Sequence, residues 1–375
     1  MKAPGANRTV SLAAFVLALA CAGRASDTFS LFPGEGRARA SAPGPTSFSL
    51  AASLPPVDPP DLRSAVAAAA AAASNQDSPS PALTSPPNRT LARLVTVGIL
   101  LGSAASALQE GFDSGFVPFH ADRENWFGKH TYAGGADKAS HFVMYNGLAR
   151  ELHIAFQRMN YSDENAYRLA VATSLASGLI TEFGNGLGQG PGFSYEDLIA
   201  NTLGIGTAVF VSKHGLDDVV GFRFGPVPAP LPTPCCPRDE IGKDYSAEIY
   251  TGDLKIAGMA RRMGLDPGPA RFLLLSMTYG SKGYNTSLPE YHQQQIGIEI
   301  GVNFPEILTA LGVKDTTWWG RTLLIFFNVF RIPYTQIGYR YDFVHQFWLG
   351  PNIGEQYDPG PGMANPSDDA TRRLP

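Results

Sequence analysis

The stretch from Ala136 to Lys213 constrains this chain most, because charged side chains recur there inside runs of small and apolar residues. It opens A-D-K-A-S-H-F, passes through T-E-F-G-N-G-L-G, and closes on F-S-Y-E-D-L-I-A-N-T-L-G-I-G. Its apolar residues return at helical spacing, so three helices are expected here. One starts near Asp137, with Phe142, Tyr145, Leu148, Leu152 and Phe156 on one side, and His141 four residues from Asp137 on the same face. Asp137 is placed as its N-cap. A second starts at Asp163 and ends at Glu182. The third opens on the S-x-x-D pattern of Ser194 and Asp197, with Asn201 one turn further on. Glu182 is the most informative residue of the three. A carboxylate at a helix C-terminus opposes the macrodipole and calls for a cation or a proton, unless it simply faces water. Lys138 and His141 are its candidate partners.

Upstream, Leu91–Leu108 is apolar and uncharged after Arg93, and its length is near that of a short membrane span. Gly98, Gly102 and Ser106 repeat every four residues, which lets helices approach closely. A membrane span and a buried core helix both fit. The loop that follows is rich in aromatics, from Phe112 to Tyr132.

The N-terminus has the form of an export signal, with Lys2 and Arg8 ahead of the short apolar run Val10–Ala20. That run ends L-A-L-A-C-A-G. Cys21 is therefore a candidate lipidation site, the alternative being ordinary cleavage after A-C-A. Residues 1–22 are assigned to this signal. Residues 23–90 hold 11 prolines and an alanine run, a composition that cannot bury enough apolar surface to fold, and read as a linker. A helical domain is expected over 91–220, a Pro-rich linker over 221–240, an α+β unit over 241–350 and a tail over 351–375. Cys235 and Cys236 are adjacent and match neither a redox nor a zinc spacing. The 29 basic and 33 acidic residues include no basic block, so nothing asks for nucleic acid.

The C-terminal unit reads as short helices plus three antiparallel strands, at Phe272–Tyr279, Gln294–Val302 and Gln336–Phe343. In the second, Ile296, Ile298, Ile300 and Val302 face one way. Trp318–Phe330 is an aromatic helix, expected as core against the sheet or at a membrane interface. The fold class expected is mainly α: a four-helix, membrane-associated or membrane-like bundle, followed by a small α+β unit with about three antiparallel strands.

At D-K-x-x-H, the helix-ending Glu, and S-x-x-D-L-x-A-N-x-x-G, the chain resembles the YfiM-type predicted periplasmic lipoprotein family, and more distantly VanZ-like membrane proteins. The resemblance covers about Leu91 to Lys213. It implies an envelope protein of unknown function, and VanZ-like members are associated with glycopeptide resistance. Asp137, Lys138 and His141 fall on its first motif, Glu182 on its central acid, and Asp197, Asn201 and Gly204 on its last.

Two readings of function follow. In the preferred one the polar residues fix helix register in a structural or accessory envelope protein. In the other, Asp137, Lys138, His141, Glu182, Asp197 and Asn201 meet as the site of a metal-dependent or acid–base enzyme, hydrolase-like, acting on an envelope or lipid substrate. The cofactor there would be a divalent metal, and Lys138 could hold an anionic headgroup. A membrane or lipid surface is the partner expected.

Overall fold

The computed structural model describes residues 86–226, 245, 248–284 and 292–353, except 132, 190 and 191. The signal, Cys21, Cys235, Cys236 and residues 354–375 of the expected tail lie outside the described residues; residues 351–353 of that tail are strand.

Four long helices come first: α1 (Arg89–Ser114), α2 (Ala136–Arg158), α3 (Asp163–Asn185) and α4 (Tyr195–Lys213). A two-residue parallel bridge joins β1 (Ala121–Asp122) to β2 (Phe193–Ser194). Then come β3 (Val220–Pro226), β4 (Glu248–Lys255), α5 (Ile256–Arg262), β5 (Leu273–Lys282), β6 (Gln293–Val302), α6 (Phe304–Ala310), α7 (Trp318–Val329), β7 (Gln336–Asp342) and β8 (Phe347–Ile353). Strands β3 to β8 form one antiparallel sheet in sequence order.

This overturns the expected fold class. The protein is α+β, with a six-stranded meander beside its helices, and no four-helix membrane bundle is evident. The stretch read as a Pro-rich break begins with a strand, β3, and β4 and β8 were not anticipated. The reason lies in their residues. V-G-F-R-F-G-P and E-I-Y-T-G-D-L-K carry glycines and charges that suggest solvent, yet Arg223, Asp253 and Lys255 are buried. Arg223 and Asp253 pair across strands, and Lys255 donates to Asp217 O and Asn328 Oδ1, which offsets a burial that would be prohibitive for isolated charges.

The helices stack through small residues. Phe156, Leu152, Ala166 and Ala170 form one buried cluster with Ala92 and Ile99 of α1. Tyr145 and Ala149 of α2 form a second with Ile205 and Ala208 of α4. Gly204 is needed where α4 crosses α2, since a β-carbon there would lie 2.2 Å from the Phe142 carbonyl oxygen. A third cluster joins α2 to the sheet, where Ala136, Val143 and Phe142 meet Tyr250, Phe222 and Phe224. That seam fixes the start of α2, where the polar motif residues sit.

Candidate functional site

Three helix ends meet at one place. Asp137 and Lys138 lie in the first turn of α2, with His141 one turn on. Asp197 lies in the first turn of α4, with Asn201 one turn on. Glu182 sits in the last turn of α3. The N-terminal ends of α2 and α4 carry partial positive charge, which suits two aspartates; the C-terminal end of α3 repels Glu182.

Local capping differs from the sequence reading at one helix and matches it at another. Gly135, at φ 89°, is the N-cap of α2, so Asp137 does not cap it. Its side chain is turned to the cluster instead. Ser194 caps α4, accepting from the Asp197 backbone N–H at 3.2 Å. The β1–β2 bridge holds the 121–124 loop against this cap and so delivers Glu124 to the cluster.

The geometry is specific about which atom faces which. Lys138 Nζ bonds Asp137 Oδ2 at 2.8 Å and pairs with Asp197 Oδ1 at 2.5 Å, and it also bonds Glu124. It therefore clamps one oxygen of each aspartate. The other oxygens face His141: Nε2 lies 3.5 Å from Asp137 Oδ1 and 3.8 Å from Asp197 Oδ2. The opposite ring nitrogen, Nδ1, donates to Asn201 Oδ1 at 2.9 Å, which fixes the imidazole. Glu182 is fully buried, and its Oε1 stands 3.9 Å from His141 Nδ1 with no hydrogen-bond partner among the described residues. Asn201 Nδ2 is likewise unpartnered. The Tyr245 hydroxyl donates to Asp137 Oδ1.

The charges are unbalanced. Glu124, Asp137, Glu182 and Asp197 are four carboxylates against one lysine and one imidazole. Burial pushes Glu124 up to about 8 and Glu182 up to about 7. Burial also opposes the charge on His141, but Asp197, Asp137 and Glu182 outweigh it and hold the imidazole at about 9. Burial works against Asp137 too, yet His141 and Lys138 keep its carboxyl below the usual range. Asp197 is raised, by burial first and then by Asp137.

Metal-ligand geometry fits these spacings. One atom each from Asp137, His141 and Asp197 can be chosen with all three within 4.8 Å of one another. Bonds of about 2.0–2.2 Å set tetrahedral ligand atoms roughly 3.3–3.6 Å apart. The two His141–carboxylate distances are close to that edge and too long for hydrogen bonds. Lys138 and Tyr245 on the aspartates, and Asn201 on His141, are the outer partners that orient such ligands.

All six residues singled out from sequence thus lie in one cluster. Sequence reasoning missed Glu124 and Tyr245. Glu124 stood as an acid inside an aromatic loop, which was a faint signal; Tyr245 lies far along the chain and gave none. A cavity of about 160 Å³ opens elsewhere, between α1, α2, α3 and α7, lined by Ile99, Met144, Leu148 and Phe326 among others. None of the six lines it. Tyr145 is the shared neighbour: it borders the cavity, and its ring lies parallel to the His141 imidazole with centroids 6.4 Å apart.

Residues 123–213 match a family described as predicted periplasmic lipoprotein (DUF2279). The match covers 91 of the 375 residues. The matched span runs from the residue before Glu124 to the last residue of α4, so it carries every cluster residue but Tyr245. The lipoprotein family places the chain on the periplasmic side of the cell envelope, as an exported protein whose biochemical activity the family leaves open. The comparisons do not extend the likeness to VanZ-like proteins. No curated protein and no solved structure matches the chain.

Proposed function

We propose that this periplasmic lipoprotein, anchored through Cys21, is a metal-dependent hydrolase of the envelope, with a divalent cation held by Asp137, His141 and Asp197. The observation that carries the reading is the facing of His141 Nε2 onto two carboxylate oxygens at 3.5 and 3.8 Å. That spacing is too wide for hydrogen bonds and suits a shared cation. A cation held by three protein ligands supplies a Lewis acid and lowers the pKa of bound water. The chain's own residues do the rest. Asn201 fixes the imidazole by holding Nδ1–H. Lys138 clamps the far oxygens of both aspartates, so their near oxygens stay aimed at Nε2. Glu182, buried and unpartnered at Oε1, is placed to hold or accept a proton beside the ligands.

A second reading has its own observation. Lys138 already bridges three carboxylates, so a resident cation is built into the chain. On that reading the cluster fixes the register of α2 and α4, as buried ionic groups do in some proteins.

Metal content separates them. The full chain, equilibrated with Zn²⁺ or Mn²⁺ and freed of excess, is expected to retain about one equivalent by elemental analysis. His141→Ala is expected to lose it while keeping its far-UV circular dichroism. Asn201→Ala, which touches no ligand oxygen, is expected to weaken retention without abolishing it. A folded wild-type chain that retains no divalent metal refutes the proposal and leaves the register reading.

A further inference from the structure

The six-stranded sheet is inside out. Its buried face is charged. Arg223 makes two bonds to Asp253, at 2.5 and 3.0 Å, and Ser276 donates to the same carboxylate at 2.6 Å. Glu299 takes bonds from Arg340 at 2.9 and 2.6 Å and from Arg331 at 2.5 Å. Each of the three arginines is only 2 % exposed. The sheet curls around this network. A β-carbon at Gly301 of β6 would lie 3.9 Å from Arg223 Nη2 of β3, three strands away, where a flat sheet would separate the strands by about 14 Å. Residues 330–331 back the edge of β3, with Arg331 N–H donating to Phe224 O at 2.8 Å.

The opposite face is apolar; α2 covers it at Phe222, Phe224, Tyr250 and Tyr279, and beyond them it is open. Register sets Leu254, Leu275, Ile300 and Ile337 side by side across β4 to β7, and Met277, Ile298 and Tyr339 in the next row. Met277 is 61 %, Ile298 66 % and Trp348 67 % exposed. Together the outward side chains of β4 to β8 present on the order of 1,000 Å² of apolar surface, against 300–600 Å² for the largest patch of an ordinary monomer. Along β5 the outward row Leu273, Leu275 and Met277 has no charge and runs roughly 13 Å at strand rise.

We propose that this face of the sheet seats against the hydrocarbon of an envelope bilayer. A sheet folding in water covers its apolar rows; here α2 covers only the end at Phe222, Tyr250 and Tyr279, while paired charges stay inside and the remaining aliphatic rows outside, the alternation of strands that face lipid. The central strands β4 to β7 are hydrogen-bonded on both sides, so hydrocarbon meets no unpaired backbone there. Tyr339 and Trp348 are residue types that suit the headgroup level. Residues 123–213 match a family described as predicted periplasmic lipoprotein, so a bilayer is at hand. A second surface has the same chemistry: α1 is apolar enough over Arg89–Leu108 to cross a membrane, is mostly unburied there, and exposes Leu94, Val97 and Leu101.

The test uses the full chain with its three cysteines replaced by serine, which removes any lipid attachment at Cys21. Met277→Cys, Ile298→Cys and, as a control on an exposed helix position, Arg168→Cys each receive an environment-sensitive fluorophore. The probe is vesicles of phosphatidylethanolamine and phosphatidylglycerol with brominated acyl chains. Labels at 277 and 298 are expected to be quenched several-fold more than the label at 168. Met277→Arg is expected to lower vesicle recovery about thirtyfold, the lower end of what an arginine costs on a lipid-facing strand. Labels at 277 and 298 left unquenched in vesicle-mixed protein overturn the proposal. So does shielding without vesicles that follows protein concentration and a doubled mass, which would assign the face to a second copy. Should Met277→Arg fail to fold, the quenching comparison alone decides.

Discussion

Substituting alanine for glycine within a helix ordinarily stabilises by up to about 1 kcal/mol, because glycine loses more backbone freedom on folding. Two glycines of α4, two residues apart and so on nearly opposite faces of the helix, should respond with opposite sign. At Gly206 a β-carbon would meet nothing within 4 Å, so Gly206→Ala should stabilise by ~0.5–1 kcal/mol. At Gly204 it would sit 2.2 Å from Phe142 O, 3.0 Å from Phe142 C and 3.1 Å from Asn146 N. These are backbone atoms of α2 and cannot rotate away. Relief requires α2 and α4 to part by about 1 Å, and overpacking of this kind costs roughly 1–3 kcal/mol. The shift also strains the bond from Asn146 Nδ2 to Gly204 O, 3.1 Å, and the His141–Asn201 bond, 2.9 Å, each worth ~1 kcal/mol. Against the propensity gain, Gly204→Ala should be less stable than wild type by about 2 kcal/mol. Urea titrations followed by far-UV circular dichroism measure both variants on one baseline. A Gly204→Ala protein as stable as Gly206→Ala would refute the close approach of α2 and α4, and with it the convergence of His141 and Asn201.

Glu299→Gln keeps the shape of the side chain but strands Arg331 and Arg340 around a neutral amide; a loss of roughly 3–5 kcal/mol in denaturant unfolding is expected. An unchanged midpoint would mean the charges are solvated. Glu151 is buried, which pushes its carboxyl up to about 8. Between pH 4.5, where the unfolded carboxyl ionises, and pH 8, the folded state holds a proton the unfolded state has lost. Stability from this group therefore falls with rising pH across that window and levels off above it. At 1.36 kcal/mol per pH unit the upper bound is ~5 kcal/mol, so Glu151→Gln should be more stable than wild type by a few kcal/mol at pH 8 and nearly equal at pH 4.5. Parallel pH profiles of the two proteins would contradict this.

Much of the helical half could be read from residues alone. The apolar spacing in Phe142–Phe156 marks α2, and Ser194 with Asp197 marks the start of α4 and its cap. The alternation of Gln294–Val302 marks β6 to within a residue. Motif spacing even selected the residues that converge, because Asp137 with His141, and Asp197 with Asn201, each share one helix face by their separation of four. What spacing could not supply is the direction in which a face points. Period-two alternation says that Ile298 and Ile300 lie opposite Glu299; it does not say which of them is inside. That was decided by partners from elsewhere in the chain: Arg340 from β7 and Arg331 from the turn after α7 make the charged side the buried one. The same holds for β3, β4 and Tyr245. Whether a charge is solvated or buried depends on a partner tens of residues or more away, and only the folded chain brings the two within reach.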